Sequence, residues 1–317
     1  MKYILGIDVG GTNIKVGIAD YKFKLYKFFS LPVEEFSNPS RAISRILILL
    51  DELNKYNFFA LGFGLPGLIN YRKGYIHYLV NLKDWKNVYW RKILEKETGI
   101  RTFLDNDVNL AALGEYFLGA GKGSKNMLMV TLGTGVGGGL ILNGKIYRGS
   151  TYSAGEIGHF PLKASGSRCS CGGVACLESY IGNKKLMRII NTRSFYIKSQ
   201  LLSRIKRKKG KLTLEDITLA GRKGDTLAIE FWEDVAHKLG QILTGVVNLL
   251  DVDRIIIGGG VANAGQLLFV PLRKFIKKRV MKLQGRDVKI SKAGLREKAG
   301  VLGACILAYH GLKGRQI

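Results

Sequence analysis

The sequence predicts an α/β protein built of two lobes with a ligand cleft between them, and two observations carry that reading. Two glycine-rich turns, Asp8-Val9-Gly10-Gly11-Thr12-Asn13-Ile14-Lys15 and Leu132-Gly133-Thr134-Gly135-Val136-Gly137-Gly138-Gly139, each follow a short apolar run that reads as a buried strand. The later half of the chain then echoes the earlier one, with a glycine-turn hairpin, helices and a strand in the same sequence.

In chain order, strand signals stand at 3–7, 14–19, 24–29 and 59–63. The first turn is a hairpin, because Ile14-Lys15-Val16-Gly17-Ile18-Ala19 after it alternates as a strand does. Between Pro39 and Asn54, apolar Ile43, Ile46, Leu47 and Leu50 recur at helical spacing. Phe58 to Gly67 reads as a buried strand ending in a tight loop, Ile100 to Asp105 as another strand, and Val108 to Gly119 as a helix stopped by glycine. A strand pair flanks the second turn. Ala228 to Leu250 forms a long amphipathic helix with Phe231, Val235, Leu239, Ile242, Val246 and Leu249 on one face. The strand Arg254-Ile255-Ile256-Ile257 runs into Gly258-Gly259-Gly260-Val261, and a last apolar helix spans about Lys298 to His310. One lobe is expected to comprise residues 1–117 with the returning helix at 301–317, the other residues 118–300.

With 317 residues and 46% hydrophobic content, the chain can bury real cores. No apolar run reaches the roughly 18–20 residues that span a bilayer. Met1-Lys2 leads straight into a strand without a signal-peptide core, so a soluble, cytoplasmic protein is expected. The net charge of +26 favours anionic ligands in general without identifying one. Its densest run, Arg204-Ile205-Lys206-Arg207-Lys208-Lys209-Gly210-Lys211, has no interleaved aromatics and reads as a solvated loop or helix face. Cys305, inside an apolar stretch, reads as a buried structural thiol.

Glycines in the two turns let backbone N–H groups approach phosphate oxygens. Neither turn has the spacing of a Walker A loop or of a dinucleotide fingerprint. With the acid cluster Asp105-Asn106-Asp107 between them, they supply the minimal parts of an ATP-dependent phosphotransferase. A second constellation is His159 with Cys169, Cys171 and Cys176, the four nitrogen and sulfur donors of a tetrahedral zinc site. Four protein ligands leave no open position for water, which makes the zinc structural. Metal at these residues would hold Glu156 and Glu178 beside a common site, where carboxylates accept hydrogen bonds from a polyol such as a sugar.

These pieces occur together in a known order. With Leu65-Pro66-Gly67, Asn81-Leu82, Asp105-Asn106-Asp107-Val108-Asn109, Gly155-Glu156-Ile157-Gly158-His159 and the Cys-x-Cys-Gly-Gly-x-x-Cys-Leu-Glu stretch at 169–178, the chain resembles the sugar kinases of the ROK family (repressor, open reading frame, kinase) from residue 4 to about 310. The resemblance implies the actin/Hsp70/hexokinase-like (ribonuclease H-like) fold. It implies Asp107 as the base for the attacking sugar hydroxyl, and Gly67, Asn81, Asn106, Glu156, His159 and Glu178 as sugar-binding residues. Asp8 would face Mg²⁺, while Gly10, Gly11, Thr12, Asn13, Lys15, Thr134 and Gly135 would contact the ATP phosphates and Gly259 and Gly260 the adenosine. Two departures stand out: Asn81-Leu82-Lys83-Asp84-Trp85 where the glucokinase group often has Asn-Leu-Pro-Gly-Trp, and Ala175 in place of a glycine before the third cysteine.

The expected activity is therefore an ATP-dependent glucokinase acting on the 6-hydroxyl of glucose. N-acetylglucosamine, N-acetylmannosamine or fructose kinase activity would use nearly the same residues. The resemblance also implies a homodimer, with no membrane and no specific nucleic acid as partners. The competing class is a sugar-responsive DNA-binding regulator, whose helix-turn-helix domain would precede the kinase-like fold; here the first strand begins at Tyr3.

Overall fold

The computed structural model describes residues 2–80, 82–283, 288–315 and 317. The first half of the chain runs through β1 (Lys2–Val9), β2 (Asn13–Ala19), β3 (Leu25–Pro32), α1 (Pro39–Glu52), β4 (Asn57–Leu65), β5 (Gly67–Asn70), β6 (Tyr75–Leu79), β7 (Leu82–Val88), α2 (Trp90–Thr98), β8 (Thr102–Asn106) and α3 (Asp107–Leu118). The second half adds β9 (Met127–Leu132), β10 (Val136–Leu142) and β11 (Lys145–Tyr147), then α4 (Glu178–Ile181), α5 (Asn183–Ile190), α6 (Arg193–Tyr196), α7 (Gln200–Lys209), α8 (Leu214–Arg222) and α9 (Thr226–Leu250). It closes with β12 (Arg254–Gly258), α10 (Gln266–Arg279), β13 (Lys289–Lys292) and α11 (Ala299–Leu312).

These elements form two compact units. Met1–Met129, Gly139–Gly155 and Gly294–Ile317 make the first, and Val130–Gly138 with Glu156–Ala293 the second. The echo heard in the sequence is a repeated sheet: strand order β3-β2-β1-β4-β8 in one case and β11-β10-β9-β12-β13 in the other. In the first sheet β1–β2 and β2–β3 are antiparallel, whereas β4 joins β1, and β8 joins β4, in parallel. In the second, β10–β11 is antiparallel and β12–β13 parallel. The alternating α/β fold class read from the sequence is the one observed.

Local chemistry explains the helix starts. Asn38 caps α1 by accepting from the Arg41 N–H, with Pro39 at the first helical position. Asp225 caps α9 through the Ala228 N–H, and Thr213 with Asp216 forms a reciprocal capping box on α8. The long helix faces inward as the pattern predicts, except that Leu249 is 77% exposed. It sits in the last turn, where Val246 and Val247 already close the buried stripe. The basic run proves to be the C-terminal part of α7, ended by Gly210 at φ 75°.

Sequence periodicity missed the three-stranded sheet β5-β6-β7, because its strands are short and half-exposed. It is fastened by Arg91, whose guanidinium donates to the carbonyls of Thr102, Arg72 and Tyr71 at 2.7–2.9 Å. Trp85, on β7, is fully buried, donates to the Phe36 carbonyl at 2.8 Å and packs on Trp90.

One helix organises the first unit. Gly6 on β1 is in register with Gly17 on β2 and with Gly62 on β4, so three adjacent strands present a row without side chains. The helix α11 lies on that row. A β-carbon built at Gly6 would stand 2.6 Å from the Val301 carbonyl oxygen, and one at Gly62 only 2.1 Å from that of Ala304. Those separations are shorter than any real carbon contact, so the backbones themselves set the spacing. A Gly62→Ala variant is accordingly expected to unfold about 1–3 kcal/mol more easily in urea, with an unchanged slope, whereas Gly245→Ala, within α9 and with nothing inside 4 Å, should lose no stability.

Candidate active site and metal centre

The site residues expected from the sequence fall into two groups, one in each unit. In the first unit, register places Asp8 opposite Lys15 across the β1–β2 hairpin, with Lys15 Nζ 4.0 Å from Asp8 Oδ2. The Gly10 N–H donates to the Asn13 carbonyl at 3.0 Å, closing a turn whose tip residues Gly11, Thr12 and Asn13 are exposed. Burial pushes the Asp8 carboxyl up to about 6, against the opposing pull of Lys15. The Asp8 side chain is only 13% exposed. A β-carbon placed on Gly64 would stand 3.2 Å from Asp8 Oδ1 and 3.5 Å from the Asp107 Cα, so Asp8 and the start of α3 flank this glycine.

Asp107 is the first residue of α3, not its cap. The cap is Asn106, whose Oδ1 accepts from the Val108 and Asn109 N–H groups at 2.9 and 3.3 Å. That arrangement places Asp107 in the first turn of the helix. The Asn106 amide also donates to the Gly67 carbonyl at 3.2 Å, bringing two expected sugar-binding residues together. Asn81, the third from this region, lies outside the described residues.

Sequence reasoning missed the residue that holds this turn. Asp105 is 2% exposed, and its Oδ2 accepts from Arg148 Nε at 2.7 Å while Oδ1 accepts from the Asn106 N–H and the Asn109 amide. Arg148 is itself buried and stacks 3.9 Å over the Tyr71 ring. The two halves of the pair are 43 residues apart and follow no periodic pattern, so no local signal marks Arg148.

In the second unit, the turn between β9 and β10 is bridged by the Gly133 N–H to the Gly135 carbonyl at 3.0 Å, and the Asn183 N–H donates to the Gly133 carbonyl at 3.1 Å. Glu178 braces it, because its Oε2 accepts from the Val136 N–H at 2.8 Å. A β-carbon at Gly135 would sit 2.2 Å from that oxygen, so a side chain there would displace the Glu178 carboxylate from its bond to Val136. Glu156 titrates above the usual carboxylate range, raised by burial and by Glu178 against the pull of His159. Gly259, at φ 85°, abuts the end of β9: a β-carbon there would stand 2.3 Å from the Leu132 carbonyl oxygen. Gly260 lines a cavity of about 270 Å³ with Glu215, Thr218, Trp232 and Asn263.

His159, Cys169, Cys171 and Cys176 converge with all donor atoms within 4.8 Å of one another. Cys171 and Cys176 Sγ are 3.8 Å apart, and Cys169 Sγ is 3.5 Å from His159 Nδ1. A tetrahedron with sulfur bonds of about 2.3 Å and nitrogen bonds of about 2.05 Å has edges of about 3.8 and 3.6 Å, so the donor set is already sized for such an ion. The loop carries Ala175 at φ 57°, so the substitution for glycine keeps a left-handed backbone. Burial and the neighbouring thiols push Cys176 up to about 12. Cys169 goes down to about 6, because hydrogen bonds from Cys171, Ser179 and His159 outweigh its burial. His159 Nε2 faces Glu156 Oε2 at 3.8 Å, the outer-shell carboxylate that a metal-bound imidazole ordinarily has.

A family model, the ROK family, matches residues 4–310. The chain belongs to the ROK family. Among ROK relatives, the glucokinase of Halalkalibacterium halodurans is 33% identical over 309 residues, covering 95% of this chain and 93% of the relative. The crystal structure of a ROK family glucokinase from Streptomyces griseus, in complex with glucose and AMPPNP, superposes with a TM-score of 0.82 at 28% identity, covering 98% of this chain and all of that one. The xylose repressor of Caldicellulosiruptor bescii is 27% identical, with 96% of this chain matching 77% of its length.

Burial of Asp8 has a pH signature. Its folded pKa of about 6 lies above the unfolded value of 3.8, so the folded state holds the proton more tightly. Stability from this group is full below pH 4 and is lost as pH rises through 6. Asp8→Asn should therefore raise the melting temperature at pH 7.5, by the equivalent of up to about 3 kcal/mol, and leave it unchanged near pH 4. Thermal melts across that range check the crossover.

Proposed function

We propose that the chain is an ATP-dependent glucokinase, transferring the γ-phosphoryl of Mg-ATP to the 6-hydroxyl of glucose. The observation that carries this reading is the turn at the start of α3, where the Asp105–Arg148 pair and the Asn106 cap fix Asp107 beside Gly64 and Asp8. Asp107 accepts the proton of the sugar hydroxyl as its oxygen attacks phosphorus. Gly67, Asn81, Asn106, Glu156, His159 and Glu178 are the residues we assign to sugar hydroxyls. The backbone of Gly10, Gly11, Thr12 and Asn13, with the Lys15 ammonium, takes one part of the ATP phosphates, and Thr134 with Gly135 the other. The cavity beside Gly260, against Gly259, takes the adenosine.

Asp8 is the residue that would hold Mg²⁺, and the ion would neutralise charge on the phosphoryl oxygens during transfer. The four-donor cluster takes one structural Zn²⁺, consistent with its tetrahedral edge lengths. Support for the substrates comes from the glucokinase relative and from the glucose and AMPPNP of the Streptomyces griseus complex. A homodimer is the assembly we propose. The repressor relative favours a second reading, a sugar-binding regulator, which would bind glucose without turnover.

Turnover of Mg-ATP against glucose, mannose, fructose, N-acetylglucosamine and N-acetylmannosamine separates the readings. Glucose should be phosphorylated fastest; turnover with an N-acetylated sugar alone overturns the substrate, and binding without turnover favours the regulator. Asp107→Asn should cut kcat by about 10²–10⁴-fold while glucose and AMPPNP still bind, as calorimetry would register. Metal analysis should return one zinc per chain, and chelation or Cys171→Ser should lower the melting temperature. A chain that purifies without zinc and melts identically in chelator would sink the metal assignment.

A further inference from the structure

A larger cavity, of about 750 Å³, adjoins the one assigned to adenosine within the second unit and has no part in the reaction described. Its volume lies in the range of small-molecule sites. Arg222 and Ala264 line both cavities. The floor is apolar, formed by Ile229 from α9 and by Leu267, Val270 and Pro271 from α10. Arg222, Arg273 and Lys292 bring three positive charges to its lining, against Glu233 as the one acidic side chain there among the described residues.

Among the described residues, those charges are not paired with carboxylates. Arg273 gives Nε and Nη2 to the Ile290 carbonyl at 3.0 and 2.8 Å, and Lys292 gives its ammonium to Asn263 Oδ1 at 2.8 Å. Both partners are neutral, so the formal charge stays uncompensated and is available to an anionic group. Arg273 also lies over the Phe269 ring at 5.4 Å, which holds its planar head at the cavity wall.

We propose that this cavity is an effector site for an amphipathic anion, an aromatic or branched acyl body bearing one carboxylate or equivalent acid. The body covers Ile229, Leu267 and Val270, and the acid meets Arg222, Arg273 and Lys292. Occupancy couples to the nucleotide through Arg222 and through the Gly260–Ala264 turn, which contributes Ala264 to both walls. Coupling of binding sites is reciprocal, so effector and nucleotide change each other's affinity by the same factor.

The coupling rests on the adenosine reading given above; the binding itself does not. The test uses the full chain with 2-naphthoate as probe and 2-naphthol as its neutral counterpart, followed by calorimetry. Naphthoate should bind with a Kd below about 1 mM, and naphthol at least about tenfold more weakly. It should also shift the Kd of ADP by about threefold or more, with ADP shifting that of naphthoate equally. Val270→Trp, which fills the cavity at a position 55% exposed, should abolish naphthoate binding and leave ADP binding unchanged. Lys292→Gln should weaken naphthoate without affecting naphthol.

No naphthoate binding at about 1 mM, or equal binding of naphthol, overturns the proposal. Mutually exclusive binding of naphthoate and ADP that survives Val270→Trp places the probe in the adenosine cavity and overturns it too. Naphthoate binding lost in Val270→Trp, in a chain that fails to bind ADP, leaves the effector site standing and removes the nucleotide reading instead. A dimer whose formation covers Val270, seen as a sedimentation change in Val270→Trp with no naphthoate binding in the parent chain, would make this face an interface and end the proposal.

Discussion

The first unit depends on one steric constraint, the backbone contact of α11 with a row of glycines. Gly17, Gly6 and Gly62 stand side by side on β2, β1 and β4; a side chain at Gly6 or Gly62 would occupy space already filled by helix backbone, and one at Gly17 would meet the Val301 and Leu25 side chains. Close approach of the helix in turn buries Cys305 and Ala308 against Ile4, Ala19 and Ala60. Burial pushes the Cys305 thiol up to about 12, so it stays protonated and serves as a small apolar filler. The same helix begins beside Asp8, since a β-carbon at Gly300 would stand 2.3 Å from its Oδ2.

The repeated strand order gives both units the same resource: a glycine hairpin beside the end of a parallel strand. In the first, β4 brings Gly64 to the hairpin carrying Asp8 and to the start of α3. In the second, β12 brings Gly259 against Leu132, at the end of the strand leading into the other hairpin. Equivalent positions are differently furnished, with Asp8 and the start of α3 flanking a glycine in one and a cavity beside Gly260 in the other. The Asp8 carboxylate carries a cost. Asp8 is held where its charge is poorly solvated, and a bound cation would relieve that penalty.

Much of this was legible because it is periodic or punctuated. The alternating strands, the α9 stripe, the glycine turns and the Cys/His spacing all act over short stretches of chain, and the structure returns each of them. What escaped depends on distance in sequence or on exposure. Arg148 reaches Asp105 across 43 residues, and α5 to α8 are short, polar and individually weak as signals. The sequence reading started this helix at Val108, one residue late, since Asn106 and Asp107 both suit a helix start and only the hydrogen bonds from Val108 and Asn109 decide between them. Leu249 shows the opposite error, a side chain on the right helical face but beyond the end of what that face covers. The glycine row could not be seen at all without knowing which strands pair.

Because α11 spans residues 299–312 while the strands beneath it begin at residue 2, the two units cannot mature at the same time on a ribosome. The second unit has its residues complete at Ala293, before the helix that covers β1, β2 and β4 has been made. Until then, Ile4, Ala19 and Ala60 face whatever else is present, which is the circumstance in which nascent chains recruit chaperones or aggregate. The segment that makes the first unit whole is thus made after all of the second, and a chain stalled or terminated before it would carry a complete second unit attached to an uncovered sheet.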